Sequence, residues 1–160
     1  LTSSFAIVPN ATIRRRFYSW LQVNELNEPT LFAPIATIAA FRNGEEWRRQ
    51  MLRYVEGNID FVIDYCSRNI PQIKPLRPQA SFLVWLDCRQ LGLDHDSLLS
   101  LFVDKARLAL NDGEIFFGGE AFDRVATGSP GHGFMRMNVG TQRSVLEQAL
   151  RQLRDAVSQL

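Results

Sequence analysis

The sequence predicts a mixed α/β chain that leans towards α+β. Segments with apolar residues at helical spacing alternate along it with short apolar segments of strand length. Two short strands follow each other in the middle of the chain, and their antiparallel pairing favours α+β. With 160 residues, 46% of them hydrophobic, the chain is long enough for one core of ordinary size.

The first 45 residues predict one strand and two helices. The apolar run 5–8, closed by a proline, predicts a buried strand. Asn10 is a suitable cap for a helix whose apolar residues follow at helical spacing. A second helix is expected over 29–41, and its weak polar face predicts burial on most sides.

A long helix comes next. Asn43 followed by Glu46 is an asparagine-headed variant of the capping box, which predicts a helix start. The pair Gly57-Asn58 allows a bend in the middle of this helix. An apolar stripe marks its buried face: Trp47, Met51, Val55, Ile59, Val62 and Cys66.

The remaining segment alternates strands and helices. Strands are expected at 73–76, 81–88, 114–117 and around Arg136, with a loop over 118–131. A helix capped by Asp94 or Asp96 is expected to end at residues 111–113, and a last helix begins near Thr141.

The strand around Arg136 is the most informative segment for function. Gly131 and Gly133 permit tight turns before it, and its apolar and polar residues then alternate with a period of two. Arg136 has a planar fork of donors that suits bidentate capture of a carboxylate; pairing with a structural carboxylate is the alternative. Asn138 on the same face either orients the guanidinium or is only a polar strand end, and His132 either touches substrate or is solvated.

Composition excludes several function classes. The net charge of +1 gives no broad electrostatic footprint for nucleic acid, and no segment has the length of a membrane span or the form of a signal peptide. Cys66 and Cys88 show no metal-ligand spacing, so we expect no metal site and two reduced core thiols in a cytoplasmic protein.

Several motifs together resemble a known family. Residues 3–10 (SSFAIVPN), 24–27 (NELN) and 41–47 (FRNGEEW) resemble the second half of class I/II aminotransferases, in the cystathionine β-lyase-like (C–S lyase) branch. Residues 81–93 (SFLVWLDCRQLGL) resemble the YLxWLDxRxLGL motif of that branch. Residues 131–143 (GHGFMRMNVGTQR) resemble its GxGFxRLNxAxxR motif. The similarity extends over essentially the whole chain.

The resemblance implies a fold type I enzyme that uses pyridoxal 5'-phosphate bound to a lysine. Residues 1–45 would be the end of the large cofactor-binding domain, and 46–160 the small C-terminal domain. Arg136 would bind the α-carboxylate of an amino-acid substrate. The hydroxyl-bearing residues that would lie near the cofactor phosphate are Thr2, Ser3 and Ser4.

The same resemblance places the cofactor-binding lysine a few residues before Leu1. Lys74 and Lys105, the two lysines of the chain, have no such context and are expected at the surface. The chain alone would then hold no catalytic residue and no cofactor and would be inactive. The full-length parent would be an aminotransferase or a C–S β-lyase.

The partners implied are an amino-acid substrate, the missing N-terminal half and a second subunit of a homodimer, near whose interface residues 24–32 would lie. Residues 120–130 depart from the family pattern, because this link is longer than usual. A non-catalytic interaction or regulatory domain with the same small-domain fold is the alternative, and a stand-alone carboxylate binder is a weaker one.

Overall fold

The computed structural model describes residues 4–117 and 129–160. The chain divides into two compact units, Leu1–Met51 and Leu52–Leu160. The helices are α1 (Ala11–Val23), α2 (Ala33–Asn43), α3 (Glu45–Asn69), α4 (His95–Ser100) and α5 (Arg143–Val157). The strands are β1 (Lys74–Leu76), β2 (Leu83–Asp87), β3 (Asn111–Asp112) and β4 (Phe134–Asn138).

The first unit contains α1 and α2. Asn10 caps α1 as predicted, because its Oδ1 accepts the backbone N–H groups of Thr12 and Ile13 at 3.0 Å. The strand predicted over 5–8 is wrong, since residues 4–9 form no regular element and the side chain of Phe5 is 69% exposed. A strand needs a neighbour to hydrogen-bond, and the described strands all lie between residues 74 and 138.

The second helix starts later than predicted and is not buried. It begins at Ala33, with Pro34 in its first turn, where a missing N–H leaves no hydrogen bond unmade. Ala33 is the buried residue of α2, whereas Ile35, Ile38 and Phe41 are exposed. The expectation of burial on most sides is therefore wrong for this chain.

Helix α3 runs over 25 residues without interruption, through the pair where a bend was allowed. Its predicted capping box does not form, because Asn43 is the last residue of α2 and Gly44 separates the two helices. The apolar stripe is correct within the second unit, where Val55, Ile59, Val62 and Cys66 are buried. Burial follows the helical period there, as expected for a helix with one packed face.

The second unit contains a four-stranded antiparallel sheet of order β1-β2-β4-β3. This arrangement confirms the leaning towards α+β. The central strands β2 and β4 place Trp85 opposite Arg136 and Val84 opposite Met137. Successive side chains of a strand point to opposite faces, so one face carries the apolar residues and the other carries Arg136.

The apolar face of the sheet belongs to the core. Buried strand residues are Val84, Leu86, Met135 and Met137, and the buried residues of α5 are Leu146, Leu150, Leu153 and Ala156. Both cysteines are buried there as free thiols, and burial raises the pKa of each to about 12. The core thus packs against one face of β4, and the side chains on the opposite face of the strand lie outside the core.

Two elements near β4 differ from the prediction. The helix that begins at α4 continues as a π-helical turn, Leu101–Lys105, and ends there, well before residues 111–113. Asn111 instead lies in β3, where it pairs with Arg136 of β4. The predicted strand 114–117 is a 3₁₀ turn, Glu114–Phe116. Pairing with a distant strand overrides the local turn signal of an Asn-Asp-Gly sequence.

Candidate functional site

The strand that carries Arg136 has the alternation that the sequence predicts. Met135 and Met137 are buried in the core, whereas Phe134 and Arg136 are half-buried on the other face. The strand therefore presents one arginine on a surface that is neither core nor bulk solvent.

The two glycines before β4 are required for different structural reasons. Gly133 has a φ of +75°, and a Cβ there would lie 2.6 Å from Cγ of Arg89. A Cβ on Gly131 would lie 2.2 Å from the carbonyl oxygen of Gly113. Glycine at position 131 lets the backbone of Gly113 approach the turn that leads into β4, and glycine at position 133 leaves room for the side chain of Arg89.

The guanidinium of Arg136 lies between an amide and an aromatic ring. Its Nη2 donates a hydrogen bond of 2.9 Å to Oδ1 of Asn111, and its Cζ lies 4.1 Å from the centroid of the Phe116 ring. Its Nε is buried and has no partner among the described residues. Over residues 4–117 and 129–160, no carboxylate lies within ion-pair distance of Arg136.

An aromatic group surrounds the cross-strand partner of Arg136. The Trp85 ring lies 5.6 Å from that of Phe116, 6.1 Å from that of Phe117 and 6.3 Å from that of Phe134. Edge-on and tilted packing of this kind is the favoured geometry of aromatic pairs. An apolar surface beside the guanidinium lowers the local dielectric and strengthens any charge-assisted hydrogen bond made there.

Both histidines of the chain meet one carboxylate near this site. Nδ1 of His132 lies 2.7 Å from Oε1 of Glu114, and Nδ1 of His95 lies 3.3 Å from the same atom. Asp112 contacts Nε2 of His95 at 3.5 Å. His132 therefore has a protein partner although its side chain is 46% exposed, and its contact with substrate stays a prediction. Across the described ranges, no group of three or more acidic, cysteine or histidine side chains is arranged to hold a metal ion.

Of the two interpretations of Asn138, the contacts fit the polar strand end, because Arg136 bonds Asn111 instead. The Oδ1 of Asn138 accepts the backbone N–H of Gly140 at 2.8 Å, a local turn contact at the end of β4. Asn111 holds the guanidinium instead. No local pattern predicts that contact, because the two residues are 25 positions apart. A role for Asn138 in substrate binding stays a prediction.

A second contact that sequence reasoning missed fixes the chain directly after β4. Asn58 is fully buried in α3; its Nδ2 donates to the carbonyl oxygens of Val139 and Thr141, and its Oδ1 accepts from Nε of Arg143. The guanidinium of Arg143 also lies over the ring of Phe61, at 4.6 Å. An asparagine in the middle of an apolar helix face was the available signal, since buried polar groups need partners.

Asp87, at the end of β2, also finds its partner in the structure. Arg89 donates to both of its carboxylate oxygens, at 2.9 and 2.7 Å, and this hydrogen bonding holds the pKa of Asp87 below its usual range. Arg89 lies in turn over the Phe134 ring, at 4.9 Å from Cζ to the centroid. The pair therefore links the end of β2 to the start of β4.

The other predicted positions contribute less. Ser4 is exposed, and Thr2 and Ser3 lie outside the described residues, as do residues 120–128 of the long link. Lys74 and Lys105 are exposed, as expected. None of the helices in the described ranges has both the length and the apolar character needed to cross a membrane.

Known proteins share this architecture. The chain is 31% identical over 158 residues to cystathionine β-lyase PatB of Bacillus subtilis and 28% identical to protein MalY of Escherichia coli. The two alignments cover 99% and 98% of this chain but only 38% of the length of each relative. No family model matches the chain.

Solved structures agree with the sequence matches. Cystalysin of Treponema denticola, which contains a pyridoxal 5'-phosphate cofactor, aligns with a TM-score of 0.84 at 25% identity, over 96% of this chain and 36% of its own. A PLP-bound protein of Clostridium difficile 630, described as an aminotransferase, aligns with a TM-score of 0.83 at 32% identity, over 94% and 36%. The chain matches the C-terminal portion of fold type I, pyridoxal-phosphate-dependent aminotransferases and C–S lyases. It spans little more than a third of the length of these relatives.

Proposed function

We propose that this chain supplies the substrate-carboxylate anchor of a longer pyridoxal-phosphate-dependent aminotransferase or C–S β-lyase that acts on amino acids. The single observation behind the proposal is the environment of Arg136. Its guanidinium is half-buried and held by a neutral amide, and no described carboxylate neutralises it. A fixed, unneutralised guanidinium beside aromatic side chains is suited to bind one carboxylate of a small molecule.

The residues of this chain fit the substrate better than the cofactor. Lys74 lies on the edge strand β1, Lys105 ends the π-helical turn, and both are exposed. We propose that the cofactor-binding lysine is contributed by a preceding segment and that the 160-residue chain alone is inactive. When bound, the cofactor withdraws electrons from the substrate α-carbon, and Arg136 would hold that carbon in place through the neighbouring carboxylate.

The test is the steady-state kinetics of Arg136→Ala in the longer protein loaded with pyridoxal phosphate. Loss of a charge-assisted bidentate contact is expected to lower kcat/KM for amino acids by about 2–4 kcal/mol, roughly 30- to 1,000-fold. Arg151→Ala is the matched control, because Arg151 is an exposed residue of α5. Equal kcat/KM values for wild type and Arg136→Ala would refute the anchor.

A non-catalytic interaction domain is the second candidate, and the exposed apolar surface of the first unit favours it. The side chains of Ile7, Trp20, Leu31, Ile35 and Phe41 are each at least 60% exposed. Apolar exposure on this scale is typical of an interaction surface. In the enzyme proposal, the preceding part of the longer protein and a second subunit cover it.

Absorbance separates the two candidates. The longer protein mixed with pyridoxal phosphate should develop the visible band of a lysine-bound cofactor, and a non-catalytic domain should leave only the spectrum of the free cofactor. A lysine motif in the reading frame upstream of Leu1 would give the same answer. The free buried thiols fit our further proposal of a reducing, cytoplasmic location.

A further inference from the structure

The segment between the π-helical turn and the long link holds Arg136 at two points. Asn111, in β3, accepts a hydrogen bond from Nη2 of Arg136, and Phe116, five residues later, packs against the guanidinium plane. We propose that Asn111 is a positioning residue for the substrate-carboxylate anchor. It would fix the guanidinium in a binding-ready orientation without neutralising it. This inference rests on the proposed function of Arg136.

The positions of the adjacent residues Asn111 and Asp112 in β3 support the proposal. Asn111 is in register with Arg136 and Asp112 with Met135, so the neutral residue and the acidic residue lie on opposite faces of the sheet. Asp112 is occupied on its own face: its Oδ1 accepts the N–H of Glu114 at 3.0 Å, and its Oδ2 contacts His95. A carboxylate at position 111 would pair with the guanidinium and compete with an incoming carboxylate, whereas an amide oxygen does not.

The neutral contact leaves most of the anchor free. A guanidinium has five N–H donors. Among the described residues, Asn111 takes the one hydrogen bond that Arg136 donates, and Nε has no partner although it is buried. A bidentate carboxylate needs two parallel donors, so this fork retains the capacity to bind it.

The segment is itself braced, which a positioning role requires. Strand β3 has only two residues, but the N–H of Gly113 donates to the carbonyl of Phe134 at 2.9 Å. Glu114 is then held by both His95 and His132. Contacts on either side of Asn111 thus tie this short strand to its surroundings, and a rigid support restricts the guanidinium to fewer orientations.

The experiment compares substitutions at position 111 in the longer, cofactor-loaded protein with L-cystathionine as the probe substrate. Asn111→Ala should raise KM by about 10- to 20-fold, near the lower end of the loss expected for one hydrogen bond to a charged group because the Phe116 contact remains, and should change kcat less. Asn111→Asp, which has almost the same shape, should raise KM at least as much. Asn69→Ala is the control, because it removes an exposed asparagine that bonds only its own helix.

A double-mutant cycle separates positioning from general structure. If Asn111 acts through Arg136, then Asn111→Ala should have no further effect on KM in an Arg136→Ala background. A second readout needs no activity: in the ¹⁵N-arginine-labelled 160-residue chain, Asn111→Ala should speed hydrogen exchange at the Arg136 Nε–H.

The outcomes are distinct. If Arg136→Ala leaves kcat/KM unchanged, both the proposed function and this inference are refuted. If Arg136→Ala lowers kcat/KM but both position-111 variants resemble the wild type, only this inference fails. Effects of Asn111→Ala and Arg136→Ala that simply add, or unchanged exchange at Nε–H, would also overturn it.

Discussion

Replacement of Asn58 by leucine should destabilise the second unit more than most single substitutions. Asn58 is fully buried, and its amide makes three hydrogen bonds: to the carbonyls of Val139 at 2.8 Å and Thr141 at 2.9 Å, and from Nε of Arg143 at 2.9 Å. The partners lie 81 to 85 positions away in the sequence. One side chain therefore bonds three residues of the segment between β4 and the start of α5.

The expected loss follows from the groups left without partners. Leucine has a similar size but no polar atom, so two carbonyl oxygens and one charged N–H lose their bonds. Neutral hydrogen bonds contribute about 1 kcal/mol each and a bond to a charged group about 1.5–3 kcal/mol, which gives a loss of about 3.5–5 kcal/mol. Arg143 also lines an open groove with Gly57 and Phe61, where water can solvate its freed N–H. We therefore expect a loss near the lower end of this range, about 3.5 kcal/mol.

Urea unfolding of the 160-residue chain, followed by far-ultraviolet circular dichroism, measures this loss. A domain of this size has about 5–15 kcal/mol of stability, so a loss of this size shifts the midpoint strongly. Asn69→Leu is the matched control and should stay within about 0.5 kcal/mol, because Asn69 is exposed at the end of the same helix. A loss below about 1 kcal/mol for Asn58→Leu would show that the buried amide does not hold the turn.

Three further predictions concern the strands around the site. Gly133→Ala should lower the free energy of unfolding by about 2–4 kcal/mol, since a positive φ is combined with steric overlap, whereas Gly92→Ala, with a φ of +66° and no atom within 4 Å, should lose only about 1–2 kcal/mol in the same urea assay. Cys66 and Cys88 should not react with a thiol reagent at pH 8 until the chain is unfolded, because both are buried and the pKa of each is raised to about 12; rapid reaction in the native state would contradict this. The pKa of Asp87 is lowered in the folded state, so its stabilisation is complete above its ordinary value of 3.8 and is lost as pH falls through the folded value. Asp87→Asn should therefore destabilise the chain at pH 7, by an amount that shrinks as pH falls below 3.8, and a deficit that does not change with pH would be evidence against the ion pair.

Local patterns were sufficient for the buried stripe of α3, the cap of α1 and the alternation of β4. The buried stripe of α3 follows from apolar residues at helical spacing, and the alternation around Arg136 follows from the period of a strand. Asn10 was recognisable as a cap because its side chain bonds within the next three residues. These features depend on neighbours in sequence, so the sequence alone predicts them.

The contacts that shape the site depend on distant partners, and the sequence could not predict them. Asn111 was interpreted as part of a helix end, although its pairing with β4 decides its conformation. The meeting of His95 and His132 at Glu114 joins residues from three separate segments. Tertiary pairing overrides local preference in each case, because a short polar segment has no strong preference of its own.

The two arginines of the last family-like motif make similar contacts, but their asparagine partners differ in what else they bond. Arg136 bonds an asparagine and lies over a phenylalanine ring, and so does Arg143. The partner of Arg143, Asn58, also bonds two backbone carbonyls, so that contact is tied to the shape of the turn. The partner of Arg136, Asn111, makes no such further bonds among the described residues. A neutral amide can orient a guanidinium without neutralising its charge. Of the two asparagines, Asn58 also bonds the backbone, whereas Asn111 bonds only Arg136 among the described residues. That difference is the physical reason why we propose a ligand-binding role for Arg136 and a structural role for Arg143.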